Sequence, residues 1–197
     1  MTRVHVVHGI YSSFGKASLE ALIPYLRAAG FDVPYPDYGW IWGLETRIAN
    51  PLIVHSILPY IAPGDLFVGH SNGCAIGYDL MGLKAPLSGA VFINAALQRR
   101  ISRPPHVQWM DVYFNPGDDA TEVARWAEAV GLVDPSWGEM GHAGYEGTDP
   151  GIVNINCGNT PGLPRVSGHS DFFTPGKLPS WAPYLVKRIL EHLQPCP

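Results

Sequence analysis

The chain is short of cysteine, of charge and of basic residues, and each shortage closes off a class of protein. Only three cysteines, Cys74, Cys157 and Cys196, occur in 197 residues. Their number is odd and no Cys-x-x-Cys pair exists, so neither a disulfide framework nor a cysteine zinc site is indicated. Cys74 and Cys157 read as buried, inert thiols. Lys and Arg number 13 against 17 Asp and Glu, a formal net charge of -4, and the one basic cluster is the loop-sized Gln98-Arg99-Arg100. That balance argues against nucleic acid as a partner. No apolar run is long enough to cross a bilayer. The eight histidines show no His-Glu-x-x-His or comparable ligand spacing, so no catalytic metal is expected. Gly9 to Lys16 comes nearest to a phosphate-binding P-loop. One residue too many separates its glycines, and Ala17 stands where a Mg²⁺-binding Ser or Thr is required. No internal repeat or low-complexity segment is present. Met1 leads directly into strand-like residues without a signal-peptide pattern, so a cytoplasmic protein is expected.

What remains is apolar and patterned. Hydrophobic residues make up 46% and charged residues 15%, which suits a single globular domain over 1–197 with a continuous core. Strand-like runs occupy 4–7, 31–35, 66–68, 90–94, 107–114 and 152–156. Between them lie helix-like stretches: 17–29 with Leu19, Leu22, Ile23 and Leu26 at helical spacing, then 48–60, 74–81 and 121–130, with 181–193 closing the chain. Strands separated by helix-length segments predict a mainly parallel α/β sheet with helices on both faces. In such sheets functional loops gather beyond the carboxyl ends of the strands.

One of those ends carries Gly69-His70-Ser71-Asn72-Gly73 directly behind Leu66-Phe67-Val68. Strand, sharp turn and helix in that order lift a serine hydroxyl clear of the sheet, with glycines allowing strand and helix to approach. Ser71 is therefore the candidate nucleophile, and it needs a base, itself oriented by a carboxylate. The loop after the Tyr113-Phe114 strand offers Asp118 and Asp119. The loop after the last strand offers His169, and the chain order is Ser, Asp, His. Asp118 or Asp119 could instead cap the following helix, and Asp171, close to His169 in sequence, reads as a brace for its own loop. His8 reads as a loop brace and His70 as a group that orients the elbow.

These residues together resemble the α/β-hydrolases. His8-Gly9 after the first strand is similar to the family's oxyanion loop, and Gly69 to Gly73 to its nucleophile elbow. The resemblance implies a Ser71–His169–Asp118 triad. Asp118 is preferred to Asp119 because an apolar residue commonly follows one position after the acid's neighbour. It also implies backbone N–H donors at Asn72 and Ile10, no cofactor, and hydrolysis of a small-molecule carboxylic ester. Amide, thioester or lipid substrates, or a non-catalytic binding role, are the alternatives. The short connection after Ala95 implies little or no cap: either none is present, or the 131–151 and 40–42 loops shape the site instead. Tyr11, Trp40, Trp42 and Trp137 are candidates for lining the substrate pocket, or else residues packed on the core.

Overall fold

Five apolar runs form the strands: β1 Val4–Val7, β2 Leu66–His70, β3 Gly89–Ile93, β4 Trp109–Phe114 and β5 Ile152–Asn156. In this computed structural model, residues 1–9, 19–34, 46–121, 128, 131 and 133–194 are described. The strands pair in parallel throughout, in the order β1-β2-β3-β4-β5. The helices are α1 Ile23–Ala28, α2 Thr46–Ile57, α3 Asn72–Gly82, α4 Met140–Ala143 and α5 Leu178–Leu193. The expected helix over 121–130 falls largely outside the described residues.

Of the strand expected at 31–35, the described residues 31–34 form one parallel bridge, between Arg3 and Asp32, and Tyr35 lies outside the described residues. Pro34 has no N–H to extend a ladder. The bridge is nevertheless informative. Val4 N–H and Thr2 C=O bond Asp32, whereas Arg3 C=O accepts from Leu66. Asp32 therefore sits on the edge of β1 away from β2. The chain winds outward from β1 through α1, then reverses and returns to β2 through α2. Parallel crossovers keep one hand, so that reversal sends the two helices to opposite faces.

Alternation along the strands feeds two apolar layers. Val7, Phe67, Phe92 and Val112 pack with α2 and α3 on one face. Val6, Val68, Val91 and Tyr113 pack with α1 and α5 on the other, where Trp181 and Phe172 are fully buried. Strands β1 to β3 are buried at every position, while β5 exposes Val153 and Asn154 as an edge strand does. Residues 94–108, between β3 and β4, hold no helix, so nothing is inserted where a cap would stand. The reversal places the ends of β1 and β2 side by side, and a crevice at such a switch point is where α/β sheets bind ligands. Gly9 and Ser71 follow those two strand ends.

Candidate active site

Ser71 connects β2 to α3 with φ 58° and ψ -126°. A non-glycine residue at positive φ is uncommon and costs on the order of 1–3 kcal/mol, held only where the surroundings over-determine it. Here both flanks do so. Ser71 N–H bonds the Ile93 carbonyl at 3.1 Å, and its own carbonyl accepts from Cys74 and Ala96 at 3.0 and 3.2 Å. Gly73 is required by close approach, because a Cβ there would stand 2.1 Å from the Val7 carbonyl oxygen. On the other side, a Cβ at Gly9 would lie 2.7 Å from Ser71 Cβ and 3.1 Å from Ser71 Oγ. The backbone after β1 thus runs directly against the serine, and only glycine leaves space for both.

Asn72 opens α3, in the first turn where backbone N–H groups lack helical partners. Its side chain is buried and fully engaged. Asn72 Oδ1 accepts from Asn50 Nδ2 at 2.9 Å and from Trp137 Nε1 at 2.8 Å, and its Nδ2 donates to Asn50 Oδ1 at 2.9 Å. Asn50 Nδ2 also reaches Asp134 Oδ2 at 3.1 Å. Trp137 is therefore packed in the core, bracing the residue after Ser71. Ile10, Tyr11, Trp40 and Trp42 lie outside the described residues.

His169 sits in the loop after β5, its side chain 24% exposed. Its Nδ1–H points at Asp118, with Oδ1 and Oδ2 at 2.8 and 3.0 Å. Asp118 is wholly buried while Asp119 is exposed, and Asp118 Oδ1 also accepts the Thr121 N–H at 3.2 Å. Gly141 closes the far side, since a Cβ there would be 2.7 Å from Asp118 Oδ2. With Nδ1 committed to the carboxylate, Nε2 is the ring atom left to accept a proton. Ser71 Oγ forms no hydrogen bond with His169 in the resting structure. The two are linked instead through His70, whose ring lies 4.7 Å from that of His169.

His70 is expected to orient the elbow, but its Nε2–H donates to the His169 carbonyl at 3.0 Å. Burial, reinforced by the nearby His169, lowers its pKa from 6.5 to about 3, so the ring is neutral. His8 Nδ1–H donates to the adjoining Gly9 carbonyl at 2.7 Å. Asp171 accepts from Ser167 N–H and Oγ at 2.9 and 3.1 Å and pairs with Lys177, which braces its loop. Cys74 and Cys157 are free and buried, and burial raises both thiol pKa values. Cys196 lies outside the described residues.

Three residues near the site escape the sequence argument: Asn50, Asn94 and Asn115. The only advance signal is an asparagine at a strand end, as in Ile93-Asn94 and Phe114-Asn115, where its tolerance of positive φ and its local hydrogen bonding are useful. No cluster of three or more metal-binding side chains occurs among the described residues, and no described helix is long and apolar enough to cross a membrane.

The parallel sheet, the reversal beside β1 and the strained serine turn define the α/β-hydrolase fold, and solved structures of that class superpose over nearly the whole chain. One, from Xanthomonas campestris pv. campestris and placed in the alpha/beta hydrolase superfamily, has a TM-score of 0.57 at 12% identity, covering 97% of this chain and 99% of its own. The esterase domain of a Rhodothermus marinus protein gives 0.54 at 11% identity over 95% and 84%. The monoacylglycerol lipase of Paleococcus ferrophilus gives 0.52 at 15% identity over 98% and 95%. No protein-family model matches the chain, and no curated protein matches it in sequence.

Proposed function

We propose that the protein is a serine hydrolase that cleaves carboxylic esters through Ser71, His169 and Asp118. The observation that carries this reading is the buried Asp118 carboxylate on His169 Nδ1, together with a serine held at positive φ at the end of β2. Ser71 Oγ attacks the carbonyl carbon while His169 Nε2 takes its proton. Asp118 fixes the tautomer and stabilises the imidazolium. The N–H groups of Asn72 and Ile10 receive the oxyanion, each worth about 2.7–4 kcal/mol in such a site. The close approach of Gly9 to Ser71 Oγ supports a backbone donor supplied by the segment that follows β1. Collapse expels the alcohol with the proton from His169, and water activated by the same Nε2 then releases the acid. The Ser71–His169 hydrogen bond forms as substrate seats, a tightening common in such sites.

An esterase domain and a monoacylglycerol lipase among the structural neighbours fit an ester in preference to an amide. The net charge of -4 fits a small molecule rather than nucleic acid, and free thiols at Cys74 and Cys157 fit a cytoplasmic setting.

Ser71→Ala tests the proposal. Hydrolysis of a p-nitrophenyl ester should fall by about a millionfold, the scale seen when a serine hydrolase loses its nucleophile, with the far-ultraviolet circular dichroism unchanged. A fluorophosphonate should label the native protein at Ser71 only. Retained turnover in the variant would remove Ser71 from the mechanism.

A further inference from the structure

We propose that His70, Asn94 and Asn115 are positioning residues that latch the His169 loop to the ends of three successive strands. Residues 167–170 carry no helix or strand of their own, yet their two central carbonyls are fully engaged. The His169 carbonyl accepts from His70 Nε2 at 3.0 Å and from Asn94 Nδ2. The Gly168 carbonyl accepts from Asn94 Nδ2 and Asn115 Nδ2, both at 3.5 Å. Asn115 Nδ2 also donates to Asn94 Oδ1 at 3.2 Å, and Asn115 Oδ1 takes the Gly117 N–H at 3.0 Å. His70 closes β2, Asn94 follows β3 and Asn115 follows β4. All three side chains are at most 1% exposed, so these bonds are not shared with bulk water.

Local geometry singles out Asn94. It holds φ 46°, a left-handed conformation that asparagine visits more readily than most residues, and its amide bridges Asn115 and His169. His70 fixes the loop in a second way. Its ring packs at 4.7 Å on His169 and edge-on at 5.0 Å on Phe173. With its single proton on Nε2, the Nδ1 lone pair is buried without a partner among the described residues. The other tautomer would bury an unmet N–H and lose the bond to the loop, which costs more. A neutral ring also lets His169 become an imidazolium without a like charge alongside.

The latch rests on the reading of His169 as the base, so its test carries a measurement that does not need turnover. Asn94→Gly keeps the positive φ and removes the amide. His70→Phe keeps the ring and removes the donor, and His70→Gln restores an N–H. In the first two, kcat on p-nitrophenyl acetate should fall about ten- to a hundredfold, the scale of a misplacement near 1 Å, with KM changed less than about twofold. His70→Gln should recover most of the loss. In the resting protein, the downfield proton NMR signal of His169 Nδ1–H should be sharp natively and in His70→Gln, and broadened or absent in Asn94→Gly and His70→Phe. Folded variants that keep both kcat and the signal overturn the latch, as does a drop in melting temperature with neither readout altered. An inactive, unlabelled native protein whose signal still responds would overturn the hydrolase reading and leave the latch standing.

Discussion

Asp111, within β4, and Asp118, four residues past its end, are both completely buried, but they meet different partners. Arg188 of α5 grips Asp111 with two nitrogens, Nη2 at 2.9 Å and Nε at 3.1 Å, and His192 adds a third contact at 3.2 Å. His192 itself lies flat on Trp109 with ring centroids 4.1 Å apart. The carboxylate hydrogen bond raises the Arg188 pKa above its already high ordinary value, so the guanidinium stays charged and ties α5 to the sheet. Asp118 meets no Lys or Arg among the described residues. Its partners are His169 and one backbone N–H. Asp111 is held chiefly by a guanidinium, whereas the only side chain on the Asp118 carboxylate among the described residues is the His169 imidazole, and its proposed role as triad acid rests on that difference.

Asp118→Asn and Asp111→Asn should separate the two roles most sharply. The first should lower kcat by about 10⁴-fold, as loss of the acid does in a serine triad, with little effect on unfolding. The second should leave kcat alone and cost about 3 kcal/mol in urea denaturation, the lower end for breaking a buried pair because Arg188 is partly solvated. Equal losses of activity in both would erase the distinction.

The acid limit offers a second, smaller contrast, on the Asp118 side. An unfolded chain protonates His70 near 6.5, the folded chain only near 3. Between those values the unfolded state binds the extra proton, so stability falls as pH drops through the window, by about 1.4 kcal/mol per unit. His70→Gln should flatten the stability profile between pH 6 and 4, measured by urea melts, whereas Asp111→Asn should lower the profile while leaving that slope in place.

Asp79 supplies the third case, a half-buried carboxylate with no ion pair among the described residues. Burial and repulsion from Asp134 raise its pKa from 3.8 to about 6. The unfolded chain releases this proton first, so stability is lost as pH rises from about 4 to 6 and the penalty persists above. Asp79→Asn should stabilise the protein at pH 7.5 by about 1–2 kcal/mol, discounted for partial exposure. At pH 3.5 it should change nothing. Unfolding measured at both pH values would check the sign.

The frame and the elbow were legible because they are written in near neighbours. Apolar alternation marks β1 to β5, and glycines two positions either side of Ser71 mark a turn that only small residues permit. The edge segment at 31–35 was less legible, because Pro34 withdraws a donor that hydropathy does not register. Asp118 and Asp119 differ by one position, and the pattern that favoured the first rested on resemblance. In the structure one carboxylate is sealed under Gly141 against His169 and the other faces solvent.

By itself the sequence determined a parallel α/β sheet and the position of the serine turn, since short-range periodicity and local turn chemistry carry both. Only tertiary structure decided which carboxylate meets His169, that His70 grips a loop 99 residues away rather than the elbow beside it, and that Trp137 braces Asn72. Those outcomes depend on which strand ends the winding reversal brings together, and hydrogen bonds between remote segments leave no periodic trace in the chain that forms them.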